Sequence, residues 1–489
     1  MAKTLVVAEK PSVGRDLSSA LAGKFEKDEG FLESEEYVIT WAVGHLVQLA
    51  DPETYDEKFK KWRMADLPIV PEDFHLVPRD AKSKKQLNLI LKLMKREDVS
   101  DFINACDAGR EGELIFAYIY EMYAESLKKK DGPPKHVQRL WISSMTKQAI
   151  REGFEKLRPG EQLQSLEQAA RSRSEADWIV GMNSTRAATI RLRSSFDGAV
   201  SLGRVQTPTL AIVARREEEI KAFVPEPYWI VDATFDAGPP AGGSEDGGTG
   251  GSEDEGERVY EGRFHMGAKP RIASEQEALA IVGACRGKQG TITKVERKEQ
   301  RERAPMLYDL TTLQRDANTR YGFSARRTLA AAQRLYEEHK ALTYPRTNSR
   351  SLTKDMIEEI KPTAELLLGR SQYAKAAAYV TSLDVLPLAR VVDDSKVTDH
   401  HAIIPTKSEH MVDRMGDDDK RVYDMVVRRF LAVFHPEAVF ENTRVETTVF
   451  PNGDGKDDGE QGGGCVFRTR GKLLLVPGWR GVYGQVPAD

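Results

Sequence analysis

The segment Thr4–Ser12, with the sequence TLVVAEKPS, determines the fold of the first part of the chain. Its residues Thr4–Ala8 predict a short buried strand, and a helical pattern follows near Ser12–Leu21. Two charged residues, Glu9 and Lys10, lie directly between these elements. Such strand–helix units are typical of α/β domains, where ligands bind at the carboxyl ends of parallel strands.

The same alternation continues over residues 1–150. Helices are predicted at Lys84–Arg96 and Leu114–Tyr123, where apolar residues recur at helical spacing, and strands at Phe102–Cys106 and Val137–Ile142. We therefore predict an α/β domain with a mainly parallel sheet.

The rest of the chain alternates between helical and β patterns. Residues 146–221 are helical, short β patterns follow at 229–235, 259–264 and 291–295, residues 307–435 are again mostly helical, and β patterns return at 445–450 and 465–476. The predicted domains are therefore a helical domain at 151–222, one interrupted β domain at 223–305 and 436–489, and a helical domain at 306–435.

The net charge of −4 argues by itself against a nucleic-acid partner, but it is an average over unlike segments. Two acidic, glycine-rich segments, 237–257 and 451–464, contribute −9, so the rest of the chain carries +5. Within Arg171–Arg216 there are eight arginines and three acidic residues. Such a field suits a polyanion, although arginines often just cover helix surfaces. We expect both acidic segments to be disordered insertions between strands.

Composition also excludes several classes of protein. No apolar run approaches the ~18 residues of a membrane span, and the N-terminus does not resemble a secretory signal. The three cysteines, Cys106, Cys285 and Cys465, are far apart and form no CxxC pair, so neither structural zinc nor disulfides are implied. No GxxxxGK[ST] loop occurs, so no ATP site is expected. The chain is predicted to be soluble and cytoplasmic.

Three carboxylates are expected to meet at the strand ends. Glu9 follows the first strand, and Asp107–Glu113, with the sequence DAGREGE, follows another and begins a helix. Together with Glu111 these oxygens would suit Mg²⁺, which could neutralise phosphate charge. From spacing alone, the alternative is that the acids only interact with the helix dipole.

The segment Leu342–Ser349, LTYPRTNS, is the most specific stretch of the chain. A proline after Tyr344 favours an extended conformation that can direct the phenol into a cleft. Arg346, two residues on, should point the same way and suits a phosphoryl group. The pattern alone leaves open a half-buried tyrosine beside a surface arginine.

These segments resemble two known signatures. VAEKPS together with DAGREGELI resembles the Toprim domain of topoisomerases, some primases and some repair nucleases. Gly109 stands where many members have a second Asp. The resemblance therefore implies a Mg²⁺ site at Glu9, Asp107 and Glu111, with weaker or fewer ions.

The tyrosine segment resembles the active-site motif of type IA DNA topoisomerases. The resemblance implies that Tyr344 attacks a DNA phosphate, becomes linked to its 5′ side and frees a 3′ hydroxyl, so religation needs no ATP.

The remaining catalytic residues follow from the same resemblance. His400 lies in TDHHAI, which resembles the family's phosphate-contacting motif, although a capping or core histidine is the alternative. Arg346 and His400 would stabilise the developing charge. Lys10 would protonate the leaving oxygen or hold the phosphate, and Glu9 completes the predicted catalytic set.

Further motifs resemble the family's groove for single-stranded DNA: ARSRSEADW at 170–178, NSTRA at 183–187 and SLGRVQTP at 201–208. A basic and aromatic patch near Trp62 is compatible with base stacking, although a packed tryptophan is the alternative. The predicted DNA-binding residues are Arg173, Asp177, Thr185, Arg186, Ser201, Gly203, Arg204, Gln206 and Trp62.

The motifs occur in family order, so the chain is identified as a member of the type IA topoisomerases, most like the bacterial topoisomerase III group. This implies a multidomain α/β plus α plus β architecture, in which a Toprim domain, helical domains and a β arch form a gated toroid. It also implies that the protein binds single-stranded or underwound duplex DNA, relaxes negative supercoils and separates linked DNA circles. The resemblance further implies a monomer that is associated with the nucleoid. The C-terminal part of the family architecture is expected to be missing after Asp489.

Two other functions stay open from the residues. One is a Toprim nuclease or primase, which would not need the tyrosine segment. The other is a non-catalytic remnant that binds single-stranded DNA. The acidic segment 237–257 lies near the place where some relatives have a loop that aids decatenation. Since an acidic loop should repel DNA, we expect no such role for it.

Overall fold

A computed structural model describes residues 2–127, 133–195, 197–238, 259–267, 269–407, 412–451 and 464–484. Almost all of the two acidic segments, at 239–257 and 452–463, lies outside these residues, and so does the prediction of disorder made for them. The chain forms two compact units. The first comprises residues 1–221, 306–370 and 383–430, and the second comprises residues 222–305, 371–382 and 431–489.

Within the described part of the first unit, seven strands form one sheet in the order β2-β3-β4-β1-β7-β8-β9, and β5 pairs with β6 separately. The strands are β1 Lys3–Ala8, β2 Glu26–Asp28, β3 Phe31–Glu33, β4 Tyr37–Trp41, β5 Val47–Leu49, β6 Leu76–Pro78, β7 Val99–Ala105, β8 Val137–Arg139 and β9 Arg158–Pro159.

The centre of the large sheet is parallel, as the sequence predicts. Strand β1 pairs in parallel with β4 and β7, and β7 pairs in parallel with β8, whereas β2, β3 and β9 pair antiparallel at the edges. Apolar clusters cover both faces: Leu5 and Val7 point to one cluster, Val6 and Ala8 to the other. This double burial explains why β1 is continuously apolar rather than alternating.

The helices are α1 Pro11–Ala20, α2 Pro52–Tyr55, α3 Ala81–Met94, α4 Arg110–Glu125, α5 Lys147–Glu155, α6 Gln164–Leu192, α7 Gln206–Lys221, α8 Glu275–Cys285, α9 Leu310–Tyr321, α10 Ala325–Glu337, α11 Ile357–Leu367, α12 Ser371–Ser382 and α13 Asp417–Ala432. The three helices that the sequence predicts individually correspond to α1, α3 and α4 to within four residues at each end, whereas α2 and α8 are not predicted. Across the residues that the structure describes, none of these helices has the length and apolarity to span a membrane.

The second unit contains an antiparallel sheet with the order β10-β11-β14-β13-β12. Its strands are β10 Asp232–Asp236, β11 Val259–Phe264, β12 Gly290–Glu302, β13 Ala438–Val449 and β14 Cys465–Val476. Strands from before and after the inserted helices therefore share one sheet. The limits of the four domains stay a prediction.

Two cysteines that are distant in sequence lie side by side in this unit. Cys285 ends α8 and Cys465 begins β14, and both contribute to the apolar cluster around Phe264 and Phe467. Both are free thiols. Burial and a hydrogen bond with Cys465 raise the pKa of Cys285 to about 12.

Candidate active site

The candidate site begins at the carboxyl ends of the neighbouring strands β1 and β7. Glu9 and Lys10 directly follow β1, and Asp107 comes two residues after β7. Ala8 and Ala105 are partners in the parallel register, so the two following loops meet. The backbone N–H of Asp107 donates a hydrogen bond to the Glu9 carboxylate.

Lys10 connects these carboxylates to the tyrosine. Its Nζ lies 2.7 Å from Asp107 Oδ2, 3.3 Å from Glu9 Oε1 and 3.4 Å from Tyr344 Oη. The same nitrogen lies 4.4 Å from the centroid of the Tyr344 ring. One ammonium group therefore contacts both acids and the predicted nucleophile.

The Tyr344 segment has no regular secondary structure, as the following proline predicts. The backbone N–H of Thr343 donates to the carbonyl of Ile404 at 3.0 Å, which fixes this segment beside the one that contains His400. The rings of His400 and Tyr336 lie 4.3 Å and 5.4 Å from the Tyr344 ring, measured between centroids. Tyr344 is half-buried against these rings.

His400 completes the group. Its Nε2 lies 3.3 Å from Asp107 Oδ2, and the Thr347 hydroxyl donates to its carbonyl oxygen at 2.7 Å. Five predicted residues therefore meet, although they come from four distant parts of the chain: Glu9, Lys10, Asp107, Tyr344 and His400.

The electrostatics of the group follow from this proximity. Burial and the adjacent Asp107 charge raise the pKa of Glu9. Burial alone would raise the pKa of Asp107, but the hydrogen bond from His400 and the charge of Lys10 lower it well below its usual range. Burial opposes the charge on Lys10, yet the carboxylates of Asp107 and Glu9 raise its pKa above the ordinary value. Lys10 is thus a cation and Asp107 an anion at neutral pH.

Two of the three predicted ligands, Glu9 and Asp107, suit a divalent metal ion that prefers oxygen ligands. Glu9 and Asp107 are adjacent, and Mg²⁺ is commonly bound by one or two carboxylates together with substrate phosphates and water. Glu111 does not join them: its side chain is 67% exposed, and its Oε2 lies 3.3 Å from His45 Nε2. Within the described ranges, no three His, Cys, Asp or Glu side chains form a cluster that could hold a metal ion. Glu111 therefore lies apart from the Glu9–Asp107 pair, and its part in a metal site stays a prediction.

Arg346 is also placed differently from the prediction. It is exposed, and its Nη2 donates to Gln333 Oε1 on α10 at 3.2 Å. The segment is not a regular strand, so the alternation that would have directed Arg346 and Tyr344 to the same side does not apply.

Arg139 was not among the predicted site residues, yet it is 1% exposed and its side chain contacts the Asp107 loop. Its guanidinium donates to the carbonyl oxygens of Cys106 and Asp107, both at 2.7 Å, and to the Glu113 carboxylate at 2.5 Å. A buried arginine satisfied by carbonyl oxygens and one carboxylate can fix a loop in place. A charged residue within a predicted buried strand was the signal available.

A cavity of about 740 Å³ opens beside Tyr344. Its lining includes Lys10, Asp107, Tyr336, Lys340, Tyr344 and His400. This volume lies within the usual range for small-ligand sites. The lining carries both lysines and carboxylates, and the rings of Tyr336 and Tyr344 offer aromatic surface for a base.

A second cavity of about 500 Å³ lies along α6. It contains the predicted residues Arg173 and Asp177 as well as Glu111, Arg79 and Trp178. Asp177 also accepts a hydrogen bond from Arg204 Nε. Glu111 thus belongs to this groove rather than to the acid pair.

The Ser201–Gln206 segment packs on α6 and leaves polar groups on the surface. Thr185 fixes it: its hydroxyl donates to the Leu202 carbonyl at 3.2 Å and accepts from the Leu202 N–H at 3.0 Å. Gln206 Nε2 donates to Ser201 Oγ at 2.8 Å, and a side chain at Gly203 would crowd Gln206. Ser201, Arg204 and Gln206 are exposed, whereas Thr185 has a packing role.

Arg186 and Trp62 lie together away from the open surface. Arg186 is 3% exposed, donates to the carbonyl of Phe59 at 2.7 Å, and its guanidinium lies 5.1 Å from the Trp62 ring. This burial contradicts the prediction that Arg186 lines an open groove. The packed alternative for Trp62 agrees with this contact.

The sequence of the chain matches two known families. Residues 4–145 match the Toprim domain, and residues 161–489 match the DNA topoisomerase family. The chain therefore belongs to the type IA DNA topoisomerases.

Within this family the chain is similar to bacterial DNA topoisomerase 3. It is 40% identical to the enzyme of Bacillus subtilis strain 168 over 489 residues, which is 100% of this chain and 61% of that protein. It is 39% identical to the enzyme of Bacillus cereus strain ATCC 14579 over 483 residues, which is 99% of this chain and 60% of that protein. The chain thus spans about three fifths of the length of these relatives.

The fold is also that of a solved relative. Full-length topoisomerase I from Thermotoga maritima superposes with a TM-score of 0.62 at 20% identity, covering 99% of this chain and 68% of that chain. At this identity the likeness shows the fold.

Proposed function

We propose that this chain breaks and rejoins one DNA strand without ATP, through a covalent bond between Tyr344 and the 5′ phosphate. The observation that supports this most directly is the 3.4 Å distance from Lys10 Nζ to Tyr344 Oη, within a group that also contains Asp107 and His400. A nucleophile beside a cation and a histidine suits phosphoryl transfer, because both groups can stabilise the charge that develops on the phosphate.

In the proposed reaction, the Tyr344 hydroxyl loses its proton to solvent and its oxygen forms a bond to phosphorus. The bond from phosphorus to the 3′ oxygen breaks, and that oxygen takes up a proton. Lys10, whose pKa is raised, stays charged and donates a hydrogen bond to the phosphate. His400 Nε2 lies 3.3 Å from Asp107 Oδ2, the oxygen that Lys10 also contacts, and can donate to the same phosphate. Religation reverses these steps.

Glu9 and Asp107 would hold Mg²⁺, consistent with the Toprim family and with their adjacency. When bound, the ion neutralises phosphate charge and keeps the strand in register. Glu111 and Arg346 would approach the phosphate only after a conformational change.

Single-stranded or underwound DNA is the proposed partner. Its strand would follow the groove that contains Arg173 and Asp177 and pass Ser201, Arg204 and Gln206, with Gly203 allowing close approach. Thr185, Arg186 and Trp62 would stabilise this groove through their packing contacts. Strand passage through the break would relax negative supercoils and separate linked circles, carried out by a monomer in the cytoplasm at the nucleoid.

The test is formation of a denaturant-resistant adduct. The purified chain is incubated with 5′-labelled and 3′-labelled single-stranded oligonucleotides and Mg²⁺, then stopped with denaturant. We expect an adduct that keeps the label on the downstream fragment and disappears in Y344F. As a matched control, Y336F removes a neighbouring hydroxyl and should still form the adduct. An adduct of undiminished yield in Y344F would rule out the assignment.

The same assay separates the two alternatives. Cleavage without an adduct would indicate a Toprim nuclease, and tight strand binding without cleavage would indicate a non-catalytic remnant. The acidic segment 237–257 is proposed to have no part in decatenation, and loss of decatenation on its deletion would overturn that.

A further inference from the structure

Gly109 is in contact with a carboxylate from a distant part of the chain. A Cβ atom built on Gly109 would lie 2.7 Å from Oδ1, 2.9 Å from Cγ and 3.1 Å from Oδ2 of Asp399. The backbone of Gly109 has φ −171°, an extended value that any residue can adopt. Gly109 is therefore needed here for space and not for backbone freedom.

The place of contact is the start of helix α4. Gly109 is the N-cap residue of this helix and has no side chain with which to cap it. The first N–H groups of a helix lack partners within it, and the helix dipole gives this end a partial positive charge. Arg110, the first residue of the helix, adds a full charge that interacts with Asp399. The Asp399 carboxylate thus lies at the positive N-terminal end of α4. The N-cap residue of this helix, Gly109, has no side chain that could cap it.

Asp399 belongs to the segment that contains His400. On one side, Thr347 and Ser351 hold this segment beside Tyr344: the Thr347 hydroxyl donates to the His400 carbonyl, and Ala402 N–H donates to the Ser351 carbonyl at 2.9 Å. On the other side, Asp399 meets Gly109 and His400 meets Asp107. Asp399 and His400 therefore connect the segment beside Tyr344 to Gly109 and Asp107, which lie in one loop of the Toprim domain.

We propose that Asp399 is a positioning residue of the proposed reaction: its carboxylate fills the space at Gly109, interacts with the start of α4, and thereby aligns His400 with Asp107 and Tyr344. This inference rests on the proposed function for its catalytic consequence. The contact itself can be measured without DNA.

The first arm of the test is a mutant cycle. G109A places a methyl group where the carboxylate lies, and D399A removes the carboxylate. Each change is expected to lower the rate of adduct formation about tenfold, which is about 1.4 kcal/mol. Because both changes disrupt one contact, the double variant G109A/D399A should be no slower than D399A alone. G369A is the matched control, since a Cβ at Gly369 meets nothing within 4 Å.

The second arm measures position without activity. Hydrogen–deuterium exchange of the DNA-free protein should rise in residues 110–113 and 398–404 in both single variants, with unchanged exchange in the central strands. D399N, which keeps the shape but loses the charge, should lower the rate less than D399A does.

The outcomes separate the two proposals. If the wild-type chain forms no adduct but exchange responds as stated, the proposed function fails and the contact stands. If G109A and D399A leave exchange unchanged, or if their effects on the rate multiply in the double variant, the positioning role is wrong.

Discussion

At the residue scale, Lys10 has three oxygen partners of different kinds: two carboxylates and one phenol. The carboxylates hold the pKa of Lys10 above its ordinary value despite its burial. A lysine in this state is a poor acid in the resting site but a strong, fixed positive charge. It is therefore better suited to stabilising the charge on phosphate than to giving up its proton early.

Replacing this charge should slow the chemistry more than it weakens the fold. K10A is expected to lower the rate of adduct formation about 100-fold, since one preorganised donor is worth about 2.7 kcal/mol in the transition state. K10R should keep part of the rate, because it retains the charge but not the geometry. The rates are measured in single-turnover cleavage of an oligonucleotide. K85A, at an exposed lysine of the same fold, should match wild type, and a K10A rate equal to wild type would contradict the role.

At the element scale, the turn between β7 and α4 depends on Arg139 at the end of β8. This side chain donates to two carbonyls of the turn and to Glu113 in the first turn of α4. The backbone itself is tightly packed there, since a Cβ on Gly112 would lie 2.1 Å from the Asp107 carbonyl oxygen. Asp107 is thus positioned by its neighbouring elements rather than by its local sequence.

Removing Arg139 should destabilise the Toprim region. R139M leaves Glu113 buried without its partner, which typically costs about 3–5 kcal/mol. The double variant R139M/E113M should recover part of that loss, because no unpaired charge remains, while the carbonyl oxygens of Cys106 and Asp107 still lose their donor. Thermal unfolding followed by calorimetry gives the comparison, with R15A at an exposed arginine as the control. A double variant as unstable as R139M would show that the ion pair is not the cause.

At the scale of the whole molecule, polar contacts within the first unit connect the predicted helical domain at 306–435, which contains Tyr344, with the predicted α/β domain at 1–150. Thr146 Oγ1 lies 3.3 Å from Asp355 Oδ2, and the Ser143 hydroxyl donates to the Thr398 carbonyl at 3.3 Å. These two contacts lie across the same boundary as the Lys10–Tyr344 and His400–Asp107 contacts of the site. Strand passage in the proposed function requires that they separate.

A covalent link across this boundary should therefore separate cleavage from passage. T146C/D355C, joined by a short bismaleimide, is expected to form the oligonucleotide adduct but to relax supercoiled plasmid at least tenfold more slowly than the untreated variant. Each single cysteine variant, treated in the same way, is the control for modification of native thiols. Undiminished relaxation by the linked protein would show that this boundary does not open.

The amino-acid sequence by itself determined the class of fold and the chemical groups of the site. Continuous apolar strands such as Thr4–Ala8 predict a doubly covered sheet, and the strand ends predict where Glu9, Lys10 and Asp107 meet, because period and burial are local properties of the chain. The Tyr–Pro pair likewise predicts a non-helical Tyr344, since the restriction acts on neighbouring residues.

Only the tertiary structure decided which candidate side chains meet. Glu111 contacts His45, Arg346 contacts Gln333 and Arg186 contacts Phe59. Arg139, which no motif marks, and Asp399, whose motif indicated only His400, lie against the Asp107 loop. Apart from Arg346 and Gln333, which are 13 residues apart, these contacts join residues far apart in the chain. Their partners are set by how elements pack, and neither spacing nor residue type carries that information.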